Sequence, residues 1–564
     1  MTRRFSFVLL AIFVGTAGAS AQTPQTALRL ITPQAPSTLN PYLSGGIKEL
    51  DAATLVLEPL ARYDEDGEII PWLATQVPTV NNGGISADLT TITWTLKPDL
   101  KWSDGTSVTS EDVAFTYAYC THPDVGCARS TRFDQVAEIA TPDPQTIVIR
   151  FERPMPNPYG PFVSSEAPIL QAAQFEDCIG EAAPSCTEAN FAPIGTGPFV
   201  VEEFRPNDVV IFARNPEYRE ADKPAFSGVE LKGAGATGGA AQAVLETGEY
   251  DYAWQFQLAP DVIAAMEEEG HGVSVAAFGS TLESIVLNHT NPDPSLPEGE
   301  RSVIRPHPFL QHPAVYRALS LAIDRSQLIE VGFGKTGRAT CSWIPAPAGY
   351  DIDVDGCATQ DLEGARALLD QAGVVDTDGD GVRELDGTPL SILYQTATSP
   401  VRQDIQALVK NWWEDIGFAV ELRNVDPSVF FSGDPGSPDT LQKFHADVQM
   451  FAGSFPDPDP QAYLAFALCD EAPSPETQWQ GMNIARFCMP EYDALYEELT
   501  RTADIAERQA IGRELNRMVV ENGMTIPLVH RGRLSARAHD LAGVRMNAWD
   551  SELWNIADWY RSEE

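Results

Sequence analysis

Three short stretches carry residue types that could do chemistry. The first is Gly233-x-Gly235-x-x-Gly238, inside GVELKGAGATGGAAQAVLETGEYDYA (228–253), between a strand-like and a helix-like run. That spacing lets backbone approach a pyrophosphate at a helix N-terminus. Its context argues against a nucleotide. A first dinucleotide-binding strand is buried on both faces and reads as nearly continuous Val, Ile and Leu, whereas Glu230 and Lys232 alternate here with apolar neighbours. Gly248 stops the following helix early. Asp261, roughly where a ribose-binding acid belongs, follows Pro260 on no evident strand end. The second stretch, GFGKT (332–336), imitates the tail of a phosphate-binding loop, but its required first glycine falls on Ile329. The third, DTDGDG, sets Asp376, Asp378 and Asp380 before Gly381, as in the first half of a calcium loop. The twelfth position, where a bidentate acid belongs, is Gly387. DIDVDG, with Asp351, Asp353 and Asp355, fails in the same way at Leu362. Both read as tight acidic turns.

Other chemistries leave fewer traces. The sequence holds no G-x-S-x-G elbow and no H-E-x-x-H. Its eight histidines form no pair at helical spacing, and His307 and His312 sit beside prolines, which suits loops. Paired carboxylates for glycoside hydrolysis meet in space rather than in sequence, so a secreted hydrolase stays open as an alternative. Eight cysteines fall in neighbouring pairs: Cys120/Cys127, Cys178/Cys186, Cys341/Cys357 and Cys469/Cys488. Eight thiols allow on the order of a hundred connectivities. Export favours four short-loop disulfides, and no C-x-x-C supports zinc.

The elements that would position such groups alternate strand-like runs with amphipathic helices, so the class is mixed α and β. SADLTTITWTLKPDLKWSDG (86–105) reads as strand, proline turn and second strand. VTSEDVAFTYAYC (108–120) opens a helix capped at Thr109 or Ser110, with Asp112 near its third position. HPAVYRALSLAIDRSQLIEVGFG (312–334) is the clearest helix, with Pro313 in its first turn. Further helices are expected at 361–373, 399–417 and 490–523.

The first residues, MTRRFSFVLLAIFVGTAGASAQT, give a charged start, a short apolar run and an Ala19-Ser20-Ala21 site. This is the layout of a secretory leader cleaved after Ala21 and too short to span a bilayer. The 564 residues exceed one core and suggest two to four domains. With 80 acidic against 38 basic residues the formal charge is −42. Such a surface repels nucleic acid and anionic membranes, which excludes both as partners.

Several stretches together resemble one family. They include STLNPYL (37–43), LEPLARYDEDGEIIPWLAT (57–75), TWTLKPDLKWSDGTSVTSEDVAFTY (93–117) and the segment opening IGTGPF at 194. HPFLQHPAVYRALSLAIDR (307–325), FPDPDPQAYL (455–464), NIARFCMPEYDALYEEL (483–499) and IPLVHRGRLSA (526–536) continue the series in order. They are similar to the extracytoplasmic solute-binding proteins of ABC importers, the peptide/nickel/opine-type group known as family 5. The resemblance implies an α/β fold of two lobes, the periplasmic binding protein fold of cluster C type, with an extra domain inserted near the N-terminus. Lobe I would take 22–58, 192–288 and 530–564; the insert 59–191; lobe II 289–529. Crossover strands would hinge around Asn288 and Val529. A periplasmic monomer is implied, which carries a ligand to membrane permeases driven by cytoplasmic ATPases and performs no chemistry, without cofactor or metal.

The resemblance also suggests a binding site. Peptide-binding relatives carry W-x-x-D-x-x-D-P, whose first Asp pairs with a peptide ammonium. Here the segment is FAGSFPDP, so Phe451 replaces the Trp and Ser454 the Asp, while Asp457 remains. A hydroxyl lacks the charge-assisted bond of a carboxylate. The expectation is an oligopeptide or peptide-sized solute, or alternatively an opine, oligosaccharide or metal chelate. Phe451, Ser454, Phe455 and Asp457 would line the cavity, faced by Tyr42 and Trp254 from lobe I.

Overall fold

Ten strands carry one mixed sheet through the computed structural model. On one side they are β1 (Leu28–Thr32), β2 (Phe199–Arg205), β3 (Val209–Arg214), β4 (Gly228–Gly233) and β5 (Tyr252–Phe256). Then come the long β6 (Gly272–Leu287), followed by β7 (Ser391–Ala397), β8 (Ala419–Val425), β9 (Val448–Gly453) and the long β10 (Thr525–Ala538). Their order is β8-β7-β9-β6-β10-β5-β1-β4-β3-β2, with the short strand Gly337–Ala339 also paired to β10. The structure describes residues 26–562 except 235–236, 257, 355–356 and 433–435. The leader to Ala21, Gly235 of the glycine turn and Asp355 lie outside the described residues.

β6 and β10 run antiparallel and belong to both halves of the sheet. Their burial shows the change of environment. β6 has partly exposed positions from Val273 to Thr281 and is buried at every position from Leu282 to Leu287. In that second part Ile285 and Leu287 enter one core while Leu282 and Val286 enter another, as the two-residue period of a strand requires. Along β10 the buried run Thr525–His530 gives way to the half-exposed Arg531, Gly532 and Arg533. At that level the ladder slips: Phe278 pairs with Gly532, but Leu282 pairs with His530. Three residues, Gly279, Ser280 and Thr281, thus oppose Arg531 alone, a bulge that bends the strand. Asn288 lies beyond the end of β6, its amide donating to the Phe444 and Ala446 carbonyls at 2.8 and 3.1 Å. Val529 pairs with Glu283, next to the slip.

The strands between 61 and 151 stay out of the main sheet. Ala61–Tyr63 pairs with Ile69–Pro71, and Thr91–Thr95, Val136–Asp143 and Thr146–Phe151 form a three-stranded sheet. Trp94 and Trp102 are fully buried in their core. The helix Ser110–Thr121 has Thr109 as N-cap and a capping box closed by Asp112. The second strand expected after Pro98 is reduced to one bridge, Lys101 with Ser107.

Two expected long helices are each broken by an aspartate. Pro313–Leu321 ends before Asp324, whose carboxylate accepts from Gln327 and starts Arg325–Gly332. Asp504 caps Ile505–Glu521 in the same way after Pro490–Leu499. A cap that satisfies a free helical N–H makes a new start more stable than a continuous helix at that point. The sulfurs pair as Cys120–Cys127, Cys178–Cys186, Cys341–Cys357 and Cys469–Cys488.

β4 runs parallel to β1, with Thr32 opposite Gly233. A Cβ on Gly233 would stand 2.8 Å from the Ala35 nitrogen, so Gly233 itself packs closely on the chain that follows β1. Gly195, in IGTGPF, is tighter still: a Cβ there would stand 1.9 Å from the Val56 carbonyl oxygen. The turn thereby closes onto the end of helix Ile47–Thr54, where Gly197 donates to Val56 at 2.8 Å.

Candidate functional site

A cavity of about 400 Å³ opens where β6 and β10 cross between the halves of the sheet. Its walls come from six places. Leu50 and Asp51 come from helix Ile47–Thr54, Arg132 and Ser164–Glu166 from the segment outside the main sheet, Gly279–Thr281 from the bulge, and Ser454–Pro456 from the loop after β9. Arg531, Arg533 and Ala548–Ser551 complete it. The bulge is held to the β9 loop by Ser280, whose hydroxyl accepts from the Phe455 amide at 2.8 Å.

One wall is aromatic. Phe455 lies 6.0 Å from Trp549 and 5.1 Å from Tyr463, ring centre to ring centre, and Trp343 continues the stack at 4.7 Å. Phe455 comes from the loop after β9 and Trp549 from the C-terminal segment, and both belong to one core.

The charged groups are mostly paired. Arg132 donates to Asp457 at 2.8 Å and also to Glu166. Arg531 donates at 3.0 Å to Glu283, which is 1 % exposed and also takes a two-pronged contact from Arg402 at 2.6 and 3.2 Å. Asp550 accepts from Arg62 at 3.1 Å and from the Ser165 amide at 2.9 Å, tying the C-terminal segment to the small sheets. Asp51 differs. The Ser551 hydroxyl donates to one of its oxygens, and the other has no hydrogen-bond partner among the described residues. Burial, and then repulsion from Glu552, push its carboxyl up to about 7.

Of the residues expected at the site, Ser454 and Phe455 line the cavity. Asp457 stands at its rim in the contact with Arg132. Trp254 lies against Asp51 in a small adjoining recess, its indole nitrogen buried without a partner among the described residues. Phe451 is placed on β9 and packs into the cores on either side of that strand. Tyr42 does not face the cavity: it is fully buried beside Tyr119 and its hydroxyl donates to the Pro168 carbonyl at 2.5 Å. Sequence reasoning missed Asp51, Arg132, Arg533 and Trp549. Arg531 and Arg533 stand two apart on one strand and so share a face, a signal present in HRGR. The burial of Asp51 follows from packing that no local pattern announces.

Of the acidic turns, DTDGDG gathers Asp376, Asp378, Asp380 and Glu384, with ligand atoms within 4.8 Å of one another. The Asp376 carboxylate accepts from the Gly379 and Gly381 amides at 2.7 and 3.0 Å, which is what closes the turn. His307 contacts Asp447 at 2.9 Å, and His312 caps helix Pro313–Leu321.

Residues 68–472 match the family described as bacterial extracellular solute-binding proteins, family 5 Middle. The di/tripeptide-binding protein 2 of Pseudomonas aeruginosa is 24 % identical, covering 96 % of both chains. The nickel-binding periplasmic protein of Escherichia coli is 24 % identical over 90 % of this chain and 89 % of its own. Among solved structures, the periplasmic murein tripeptide-binding protein MppA in its unliganded open form superposes with a TM-score of 0.74 at 19 % identity, covering 96 % of this chain and 99 % of that one. That superposition speaks to the fold. No helix among the described residues is long and apolar enough to cross a membrane.

Proposed function

Because the chain belongs to the family 5 bacterial extracellular solute-binding proteins, we propose that it captures an oligopeptide or peptide-sized solute in the cavity at the crossing of β6 and β10. It then hands the solute to a membrane permease of an ABC importer. The observation that carries this reading is the cavity itself, walled from both halves of a sheet that β6 and β10 connect. A solute touching both walls favours the state in which they are close, and the permease reads that state. The volume lies toward the lower end of small-molecule sites, about 300–1,000 Å³, which suits a short ligand. The bulge at Gly279–Thr281, opposite Arg531, serves as the hinge, with Val529 beside it.

The protein acts as a periplasmic monomer released from its leader after Ala21 and does not transform its cargo. The experiment is native mass spectrometry of the protein purified from the periplasm. The expected result is a monomer beginning at Gln22 with a small non-covalent cargo that leaves unchanged on denaturation. A covalently altered product formed at turnover rates would instead establish a hydrolase. A second reading, a non-peptide solute such as an opine, oligosaccharide or metal chelate, draws support from Ser454. That hydroxyl lines the cavity where peptide-binding relatives place a carboxylate for the ammonium, and a neutral hydroxyl holds a cation more weakly.

A further inference from the structure

The cavity contains three arginines, and two of them are paired with acids within the chain: Arg132 with Asp457 and Glu166, and Arg531 with Glu283, which it shares with Arg402. Arg533 is not. Among the described residues no hydrogen bond or ion pair reaches its guanidinium, although it lines the cavity. In a chain with 80 acidic and 38 basic residues a carboxylate partner would be easy to supply. Its absence beside an inward-facing arginine is therefore informative. Asp51 acts on it electrostatically, but burial and then repulsion from Glu552 push that carboxyl up to about 7. That group is a weaker counter-charge than an ordinary carboxylate.

Arg533 is also well placed to hold something. Its backbone pairs with Ala277 inside the β6–β10 ladder, one residue from the bulge side of the crossing, so its base is rigid. Ala548 and Trp549 share the cavity wall with it, and Trp549 leads to Phe455 at 6.0 Å. A planar guanidinium with free donors matches a carboxylate in two parallel hydrogen bonds. If the halves closed over Arg533 alone, a bare charge would lose its water, a penalty of several kcal/mol in a dry interior. A solute that brings an anion removes that penalty only in the closed form.

We propose that Arg533 is the receptor for a carboxylate on the solute, which is held with its acid end against β10 and its apolar body on Trp549 and Phe455. This rests on the solute-binding reading and narrows it: a neutral oligosaccharide is excluded, and a peptide enters with its C-terminus toward β10.

The test uses the full mature chain, freed of cargo, as wild type, Arg533→Lys and Arg533→Gln. Thermal shift and tryptophan fluorescence are followed with trialanine, trialanine amide, N-acetyl-trialanine, glutarate, maltotriose and nickel–histidine. The expected result is binding by probes with a free carboxylate and at least tenfold weaker binding by trialanine amide. Arg533→Gln should lose at least tenfold in affinity for the acids and Arg533→Lys less, with the unliganded melting temperature of both within a few degrees of wild type. Glutarate binding as well as trialanine would assign the acid to a free organic acid; trialanine alone, to a peptide terminus. Equal binding of trialanine and its amide, unchanged affinity in Arg533→Gln, or a response to maltotriose alone would overturn the proposal and leave the carrier reading standing. No response to any probe, together with no cargo in the native protein, would overturn both.

Discussion

Asp51 sits 5 % exposed in the cavity wall with one oxygen on Ser551 and the other unpartnered among the described residues. Its folded-state carboxyl is pushed from 3.8 up to about 7, first by burial and then by Glu552. Between those two values the native chain holds a proton that the unfolded chain has released, so this group makes stability fall as pH rises. Below about pH 3.8 it contributes nothing, and above about pH 7 the loss is complete. Asp51→Asn keeps a group that can accept from Ser551 and never ionises. The variant should melt near wild type at pH 4 and above it at pH 8, with the gap opening across that window and reaching on the order of 2–4 kcal/mol at about 1.4 kcal/mol per pH unit. Urea titrations at several pH values measure it, and parallel profiles for the two proteins would show that the carboxyl ionises normally. The contrast with Ser454 is instructive. Ser454 could be placed in the cavity wall from its position in FAGSFPDP, because a loop motif travels with its neighbours. Asp51 is one acid in an amphipathic helix, and only the packing of Ser551 and Glu552 around it makes it unusual.

Elements were legible where a local rule fixes them. Thr109 with Asp112, Pro313 at a helix start and the four cysteine pairs all depend on residues within about twenty positions of one another. The breaks at Asp324 and Asp504 were equally local, since Asp-x-x-Gln and Asp-x-x-Glu are start signals, but the apolar period runs through both and hides them. The bulge at Gly279–Thr281 and the inward aim of Arg533 depend on pairing between β6 and β10, some 250 residues apart. Tyr42 was misplaced for the same reason: its cover comes from Tyr119 and Pro168. The IGTGPF turn joins the two kinds of information, a short motif whose purpose is a distant contact. With 1.9 Å between a Cβ on Gly195 and the Val56 oxygen, Gly195→Ala must push the turn off the end of helix Ile47–Thr54. Overpacking against backbone should destabilise by about 3 kcal/mol. The same displacement moves Asp51 and Leu50 in the cavity wall, so cargo affinity should fall with stability. Equilibrium unfolding and a binding isotherm on the same preparation check both; a variant as stable as wild type would mean the turn relaxes freely.

At the scale of the whole molecule, the proposed capture depends on how strongly the halves prefer to be together before a solute arrives. Two contacts tie the loop after β9 to other segments beside the cavity: the Phe455–Trp549 ring pair to the C-terminal segment and the Arg132–Asp457 ion pair to the segment outside the main sheet. Asp457 is 44 % exposed in its side chain, so the ion pair is partly screened and should contribute about 0.2–1 kcal/mol. That is a small bias, and a small bias suits a carrier, because a protein already shut would neither admit nor release its cargo. Asp457→Asn and Arg132→Gln should each open the unliganded protein slightly and weaken cargo binding roughly two- to fivefold. The double variant should be little worse than either single one, because the same contact is lost in each. Small-angle scattering of the unliganded proteins reads the opening as an increase in radius of gyration, and calorimetry with the native cargo reads the coupling. If the two substitutions multiplied, or if affinity fell without any change in scattering, Arg132 and Asp457 would be contacting the solute separately.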